Sequence, residues 1–320
     1  MLGLVIGVGN QGPAHVQALQ KAGVDVAVCD VNPKRLPSGI KGFTNLEDAL
    51  KYRPDLCVVS SPTGTHAPIC AALLEAGVKI ILVEKPLAAS PDAANEIVNR
   101  SVAAGAQVFT GFHLAWVVEP ALPAIALFGR EATINATWRR RDGRPPLIQA
   151  PEGLVYPGGP LEVDLGSHLF HLLSLLGKPV TRLTARARGW TPAGWDEIDV
   201  FTPVGNVSLA YRCSTVEREE LAIEVLDQSQ YLRIKLPTER TERAPSPEGR
   251  LDLGSFAIAG PTSICLPTPE EAFALQARQL VYVAMGGPRG RLTPASEAAR
   301  VVNVCDAVAR SLATGGEVLV

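Results

Sequence analysis

Three glycines near the N-terminus constrain this chain more than any other feature. Leu4-Val5-Ile6 is a short apolar run. Gly7-Val8-Gly9-Asn10-Gln11-Gly12 follows, and then Pro13-Ala14-His15-Val16-Gln17-Ala18-Leu19, a helical pattern without glycine. G-x-G-x-x-G between a strand and a helix is the setting a dinucleotide-binding turn requires. Gly7 allows the tight turn, Gly9 lets the backbone approach a pyrophosphate, and Gly12 lets helix and strand pack closely. The N–H groups of the first helical turn, aligned with the helix dipole, would face the phosphates. Pro13 suits that turn because its missing N–H has no partner there anyway. A second apolar strand, Val24 to Cys29, ends at Asp30, eighteen residues past Gly12. The carboxylate that binds the adenine ribose hydroxyls stands at about that distance, roughly 20 residues on. Its charge favours NAD, because a 2′-phosphate would be repelled. Lys34 and Arg35 nearby leave room for NADP.

The alternation of strand and helix continues to about residue 111. Asp55–Ser60, Ile80–Val83 and Gln107–Gly111 read as strands, and Pro68–Ala76 and Ala93–Ala104 as helices, the latter capped by Ser90. Continuous apolar strands separated by helices predict a doubly wound parallel sheet covered on both faces. In such sheets ligands bind beyond the carboxyl ends of the strands. Gly7, Gly9, Asn10, Gln11, Gly12, Asp30, Val31, Ser61, Pro62, Thr63, His66, Glu84 and Lys85 all fall at those ends and are candidate cofactor contacts. Lys85 ends the fourth of these strands, on the cofactor edge, and Pro86 fixes the backbone after it. His15, one turn into the first helix, reads as a packing residue.

The pattern changes after residue 120. Ala132, Ile134, Ala136 and Trp138 alternate with Thr133, Asn135, Thr137 and Arg139, a half-exposed strand. Residues 141–160 are rich in Pro and Gly and read as an ordered loop or lid, with Tyr156 able to close over a site. Leu161 to Leu176 reads as one helix. Further strands follow at 182–188, 198–202, 206–215, 220–226 and 231–236, then a polar loop at 237–255. Helices at 269–285 and 294–314 and a short strand at 317–320 complete the chain. The whole is predicted as α/β: a Rossmann domain over 1–118, and over 119–320 an α+β domain with an open, mainly antiparallel sheet. Asp164 and His168 are four apart, so they share a helical face, and the carboxylate can orient the imidazole for proton transfer. His171 lies three residues further on.

Composition narrows the function. The 320 residues suit two domains, and 47% hydrophobic residues suffice for two cores. A net charge of −2 and a pI near 6.2 give no footprint for nucleic acid, and Arg139-Arg140-Arg141 is short and isolated. No apolar run is long enough to cross a membrane. The chain enters a strand without a basic leader, which predicts no signal peptide. The six cysteines show no C-x-x-C and no metal spacing; they read as free thiols in a reducing cytoplasm.

With these residues in view, the chain resembles the glucose–fructose oxidoreductase / inositol dehydrogenase family, GFO/IDH/MocA. Gly7-Val8-Gly9-Asn10-Gln11-Gly12 with His15 and Ala18-Leu19 is similar to the family's first motif, and Glu84-Lys85-Pro86 to its E-K-P motif. Gly158-Gly159-Pro160 through Asp164-Leu165-Gly166-Ser167-His168 is similar to its G-G-x-x-x-D-x-G-x-H motif. Trp138-Arg139-Arg140 resembles the first strand of its second domain. The resemblance implies an NAD(P)-dependent dehydrogenase of a sugar, cyclic polyol or sugar derivative, with Lys85, Asp164 and His168 as the catalytic set. It also implies that His66 lines the cofactor, and that the chain forms a homodimer or homotetramer through the second domain's sheet. Two positions depart from the family pattern. His171 stands where many members have Asp, and His113 follows Gly111-Phe112 where many have Asn or Arg. Both are candidate substrate contacts, so the substrate is expected to differ from simple hexoses or inositol. Two other readings stay open. One is a redox-neutral enzyme that uses tightly held NAD to assist elimination or glycoside cleavage. The other is a non-catalytic NAD-sensing regulator, against which the intact Lys85, Asp164 and His168 argue.

Overall fold

The computed structural model describes residues 1–128, 131–140, 148–150, 153–155, 160–191, 194–211, 219–227, 231–236, 248–249, 251–253 and 264–320. Tyr156, the Gly158-Gly159 pair, Arg141 and Cys213 lie outside them. The chain forms two units, Met1–Trp116 with Glu270–Val302, and Val117–Pro269 with Asn303–Val320. This division differs from a single cut at residue 118, because residues 270–302 return to the first unit.

The first unit holds a seven-stranded sheet. Six strands are parallel: β1 (Leu2–Ile6), β2 (Asp25–Cys29), β3 (Lys41–Phe43), β4 (Leu56–Val59), β5 (Ile80–Glu84) and β6 (Gln107–Gly111). Their order is β6-β5-β4-β1-β2-β3, with Thr293–Pro294 pairing antiparallel outside β6. Every residue of β4 and β5 is buried, as strands covered on both faces require. The strand order reverses at β1, so the turn after β1 lies at the switch point where such sheets bind ligands. Helices Gly12–Lys21, His66–Glu75 and Pro91–Ala103 connect the strands. The Ser90 hydroxyl caps the last of these by accepting from the Ala93 amide. The sequence reading missed β3, the short helix Leu46–Lys51 and the strand at 293–294.

The second unit is built on an eight-stranded sheet. Its order is Leu251–Leu253, Tyr231–Lys235, Glu219–Leu226, Thr133–Arg140, Gly205–Ala210, Gly194–Thr202, Arg182–Thr191 and Val318–Leu319. All neighbours are antiparallel except Thr133–Arg140 with Gly205–Ala210. The expected alternation holds: Ile134, Ala136 and Trp138 are buried, and Thr133 is exposed on the other face. The opposite face carries a polar chain in which Arg139 donates to Ser208, whose hydroxyl donates to Asp199.

Three expectations are corrected here. Within 141–160, Ile148–Ala150 pairs with Gly153–Val155, so part of the presumed loop is a strand pair. Within 237–255, Glu248–Gly249 pairs with Ile264–Cys265, and Leu251–Leu253 joins the edge of the main sheet. The helix expected over 161–176 is two, Leu161–Asp164 and Gly166–Leu175. They meet at Leu165, whose φ of −88° and ψ of −43° stay helical. Residues 166–173 of the second helix are all buried. Its Gly166 packs against the sheet, where a Cβ would come within 3.1 Å of Leu209.

Candidate active site

In the first unit, the glycine-rich turn has the shape its sequence demands. Gly7 has φ +85°, and a Cβ there would sit 2.6 Å from Ser60 O and Ser61 N. A Cβ on Gly12 would lie 2.1 Å from Gly7 O, closer than any real contact. Gly9 differs: its Cβ position meets only the Arg35 guanidinium, at 3.4 Å, so its backbone faces open space. Gly9 and Asn10 are exposed, and Gln11 is half-buried. The Gln11 side chain makes no cap hydrogen bond to the helix it precedes, and no acidic residue lies in the first turn. The turn and the helix start that follows it therefore offer backbone amides with no acidic side chain of their own, which suits a pyrophosphate.

Asp30 ends β2 with both carboxylate oxygens engaged. Oδ2 accepts from Val8 N at 2.9 Å and Oδ1 from Asn32 N at 2.8 Å, tying the glycine turn to the loop after β2. Each oxygen keeps a second lone pair for a ribose hydroxyl. Arg35 Nη1 stands 3.9 Å from Asp30 Oδ2, and Val31 is 86% exposed. After β4, the Ser61 and Thr65 hydroxyls are 2.7 Å apart, and Thr65 donates to Pro62 O. Ser61 and Thr63 are half-buried and Pro62 is exposed. These residues gather at the carboxyl ends of the neighbouring strands β1, β2 and β4, together with Gly7, Gly9, Gly12 and Asp30.

At the end of β5, Glu84 is buried and Lys85 half-buried. The Lys85–Pro86 peptide is cis. Glu84 Oε1 lies 2.6 Å from His15 Nε2, and Oε2 accepts from Lys85 N at 3.0 Å. Burial alone would push the Glu84 carboxyl up. The His15 hydrogen bond and the charges of His15, His113 and Lys85 outweigh it and hold the group below the usual carboxylate range. An ionised carboxylate only accepts, so His15 Nε2 carries the proton in this contact. Phe273 meets His15 edge-on at 4.9 Å and stacks on His113 at 5.2 Å. His66 is buried, with Nδ1 3.0 Å from Pro86 O and Nε2 2.9 Å from Ser61 O. The sequence reading foresaw Glu84 and Lys85 together but missed His15 as Glu84's partner. No spacing rule links a residue of the first helix to the end of β5.

The second unit holds the other candidates. Asp164 Oδ2 accepts from the Tyr211 hydroxyl at 2.6 Å, and Tyr211 is completely buried. The His168 and Trp138 rings lie 5.6 Å apart. His171 is buried, and burial pushes its imidazole down to about 3, so it is neutral at ordinary pH. Tyr211 also escaped the sequence reading: one tyrosine after a strand carries no pattern. Among the described residues no group of His, Cys, Asp or Glu could hold a metal ion. Cys29, Cys57, Cys70 and Cys305 are free thiols, all buried. No helix among the described residues is long and apolar enough to cross a membrane.

The fold and the glycine cradle define an NAD-binding Rossmann protein. Residues 2–112 match the family model described as "Oxidoreductase family, NAD-binding Rossmann fold", that of GFO/IDH/MocA. This stretch is similar to that family, as the motifs at Gly7–Gly12 and Glu84-Lys85-Pro86 lead one to expect. An inositol 2-dehydrogenase of Rubrobacter xylanophilus is 34% identical over 110 residues, which take in 32% of this chain but only 31% of that enzyme. Among solved structures, GenD2 from gentamicin A biosynthesis, in complex with NAD, is similar over the whole chain and 96% of its own, with TM-score 0.80 and 23% identity. The WlbA dehydrogenase of Bordetella pertussis, in complex with NADH and UDP-GlcNAcA, is similar over the whole chain and 97% of its own, with TM-score 0.78 and 18% identity. At such identities these two establish the fold of both units.

Proposed function

We propose that this chain is an NAD-dependent dehydrogenase acting on a hydroxyl-bearing carbon of a sugar, cyclic polyol or sugar derivative. The observation that carries the reading is Lys85, half-buried at the end of β5 and next to an ionised, buried Glu84, on the sheet edge that bears the glycine cradle. Bound NAD would supply the hydride acceptor. Lys85 would stabilise charge developing on the substrate oxygen. His168 would take or return the hydroxyl proton, with Asp164 orienting it. Tyr211, donating to Asp164, would keep that carboxylate ionised and aimed. The relatives that act on inositol or bind a nucleotide sugar support the substrate class. His113, His171 and Tyr156 remain proposed substrate contacts, and assembly through the polar face of the eight-stranded sheet remains a proposal.

The test is a screen of inositols, sugars, amino sugars and sugar acids for NADH formation. A substrate should emerge whose turnover falls at least about a hundredfold in Lys85→Ala, the loss expected when an electrostatic stabiliser is removed. Turnover with no net NADH would instead favour the redox-neutral reading. Asp30 further leads us to expect NAD to be preferred over NADP by more than tenfold, and Asp30→Ser to erase most of that preference, about 1.4 kcal/mol. Equal use of both cofactors by the native chain would overturn the Asp30 argument.

A further inference from the structure

We propose that His15 and His66 are positioning residues for Lys85, gripping the backbone of residues 84–87 from both sides. The proposal rests on the reading that Lys85 acts on substrate, and its test separates the two.

Glu84 is a bridge. One oxygen meets His15 Nε2 at 2.6 Å and the other accepts from the Lys85 amide at 3.0 Å. The imidazole thus sets the carboxylate, and the carboxylate sets the peptide that leads into Lys85. On the far side, His66 Nδ1 lies 3.0 Å from Pro86 O and 3.3 Å from Leu87 O, while Nε2 lies 2.9 Å from Ser61 O. His66 therefore ties the segment after Lys85 to the loop that follows β4. Glu84, Pro86 and Leu87 are buried and Lys85 is half-exposed. The anchored run thus presents one side chain outward, and that side chain is the lysine.

These ties cost more than packing would need. A buried histidine–carboxylate pair carries a large desolvation penalty, and an apolar pair of similar volume often gives equal or greater stability. Nor is His66 placed for stability alone. Both its ring nitrogens face carbonyl oxygens, which only accept, and a neutral ring has one N–H to give. Burial holds this imidazole below its ordinary pKa, against the pull of the carbonyls and of Glu84. Phe273 confines the His15 ring from the side and also covers His113. An arrangement that expensive is well suited to holding one backbone segment to within a fraction of an ångström, the tolerance that catalytic geometry demands.

The experiment compares His15→Asn, whose amide is too short to reach Glu84, with His15→Gln, whose Nε2 can occupy the imidazole nitrogen's place. Both are polar; Asn is the poorer helix former, so a urea titration of each variant separates lost reach from failure to fold. His66→Asn, which keeps a donor near Pro86 O, is compared with His66→Leu. Deuterium exchange at the Lys85 amide is read on the full chain and needs no substrate. We expect it to speed up about tenfold in His15→Asn and His66→Leu and to stay within about threefold of native in His15→Gln and His66→Asn. With the substrate from the screen, kcat should fall roughly a hundredfold in the first pair with KM nearly unchanged, and NAD affinity should stay within about twofold in His15→Asn. The proposal is overturned if His15→Asn and His15→Gln exchange alike and turn over alike. If Lys85→Ala itself keeps full turnover, the proposed function falls, and the exchange result still decides whether the two imidazoles hold the segment.

Discussion

The Tyr211 hydroxyl donates to Asp164 from a completely buried ring, and Asp164 is itself half-buried. A hydrogen bond to an ionised group is worth about 1.5–3 kcal/mol. Tyr211→Phe removes it and frees the carboxylate proposed to orient His168, so kcat should fall roughly ten- to a hundredfold with KM nearly unchanged. Native kcat in this variant would show that Tyr211 does not act through Asp164. His171 gives the second consequence at this scale. Its folded pKa is pushed down to about 3 by burial, while an unfolded histidine titrates near 6.5. Between those values the unfolded chain takes up a proton that the folded chain refuses. Stability therefore falls as pH drops from about 6.5, by up to about 1.4 kcal/mol per pH unit. His66, also held below its ordinary value by burial, adds to this limb. Glu84 has the opposite sign: held low, it contributes stability above the ordinary carboxylate pKa of about 4.5 and loses it below. The window from 6.5 to 4.5 thus belongs to the histidines. His171→Gln should flatten it by about 1 kcal/mol per unit in urea titrations; parallel curves for variant and native chain would contradict the burial argument.

At the level of elements, the turn between β1 and the helix Gly12–Lys21 is the least forgiving part. Any Cβ at Gly12 would sit 2.1 Å from the Gly7 carbonyl. Gly12→Ala must therefore separate helix from strand, which should cost several kcal/mol and abolish NAD binding. In calorimetry, NAD at about a hundred times its Kd should stabilise the native chain by about 2.7 kcal/mol and leave Gly12→Ala unmoved. This turn was legible in the sequence because three glycines at fixed spacing carry a steric requirement. The strands β4 and β5 were legible because burial on both faces makes them continuously apolar. What was not legible is physically intelligible. β3 is three residues long, and Thr293–Pro294 only two, too short for any periodicity. The break at Leu165 leaves φ and ψ helical, so nothing local announces it. At the candidate site, Lys85 and Asp164 were readable from their motifs. His15, Phe273 and Tyr211 were not, because each acts on a partner far away in sequence.

For the whole molecule, the decisive fact is that the first unit is discontinuous: it takes in Met1–Trp116 and then Glu270–Val302. Phe273 covers His15 and His113, and Thr293–Pro294 pairs with β6 at the sheet's edge. Residues 1–118 made alone would lack both. Such a fragment should expose the β6 edge, aggregate, and bind NAD at least about tenfold more weakly than the full chain. A monomeric fragment with native affinity would show that the returning segment is dispensable.

That discontinuity also sets an order of events on the ribosome. The nucleotide-binding half is translated first, yet its last strand and the ring over its histidines emerge only after residues 117–269 have been made. Nascent domains generally fold as units once their residues are available. For most of its synthesis, then, this chain carries a cofactor fold one edge short of completion.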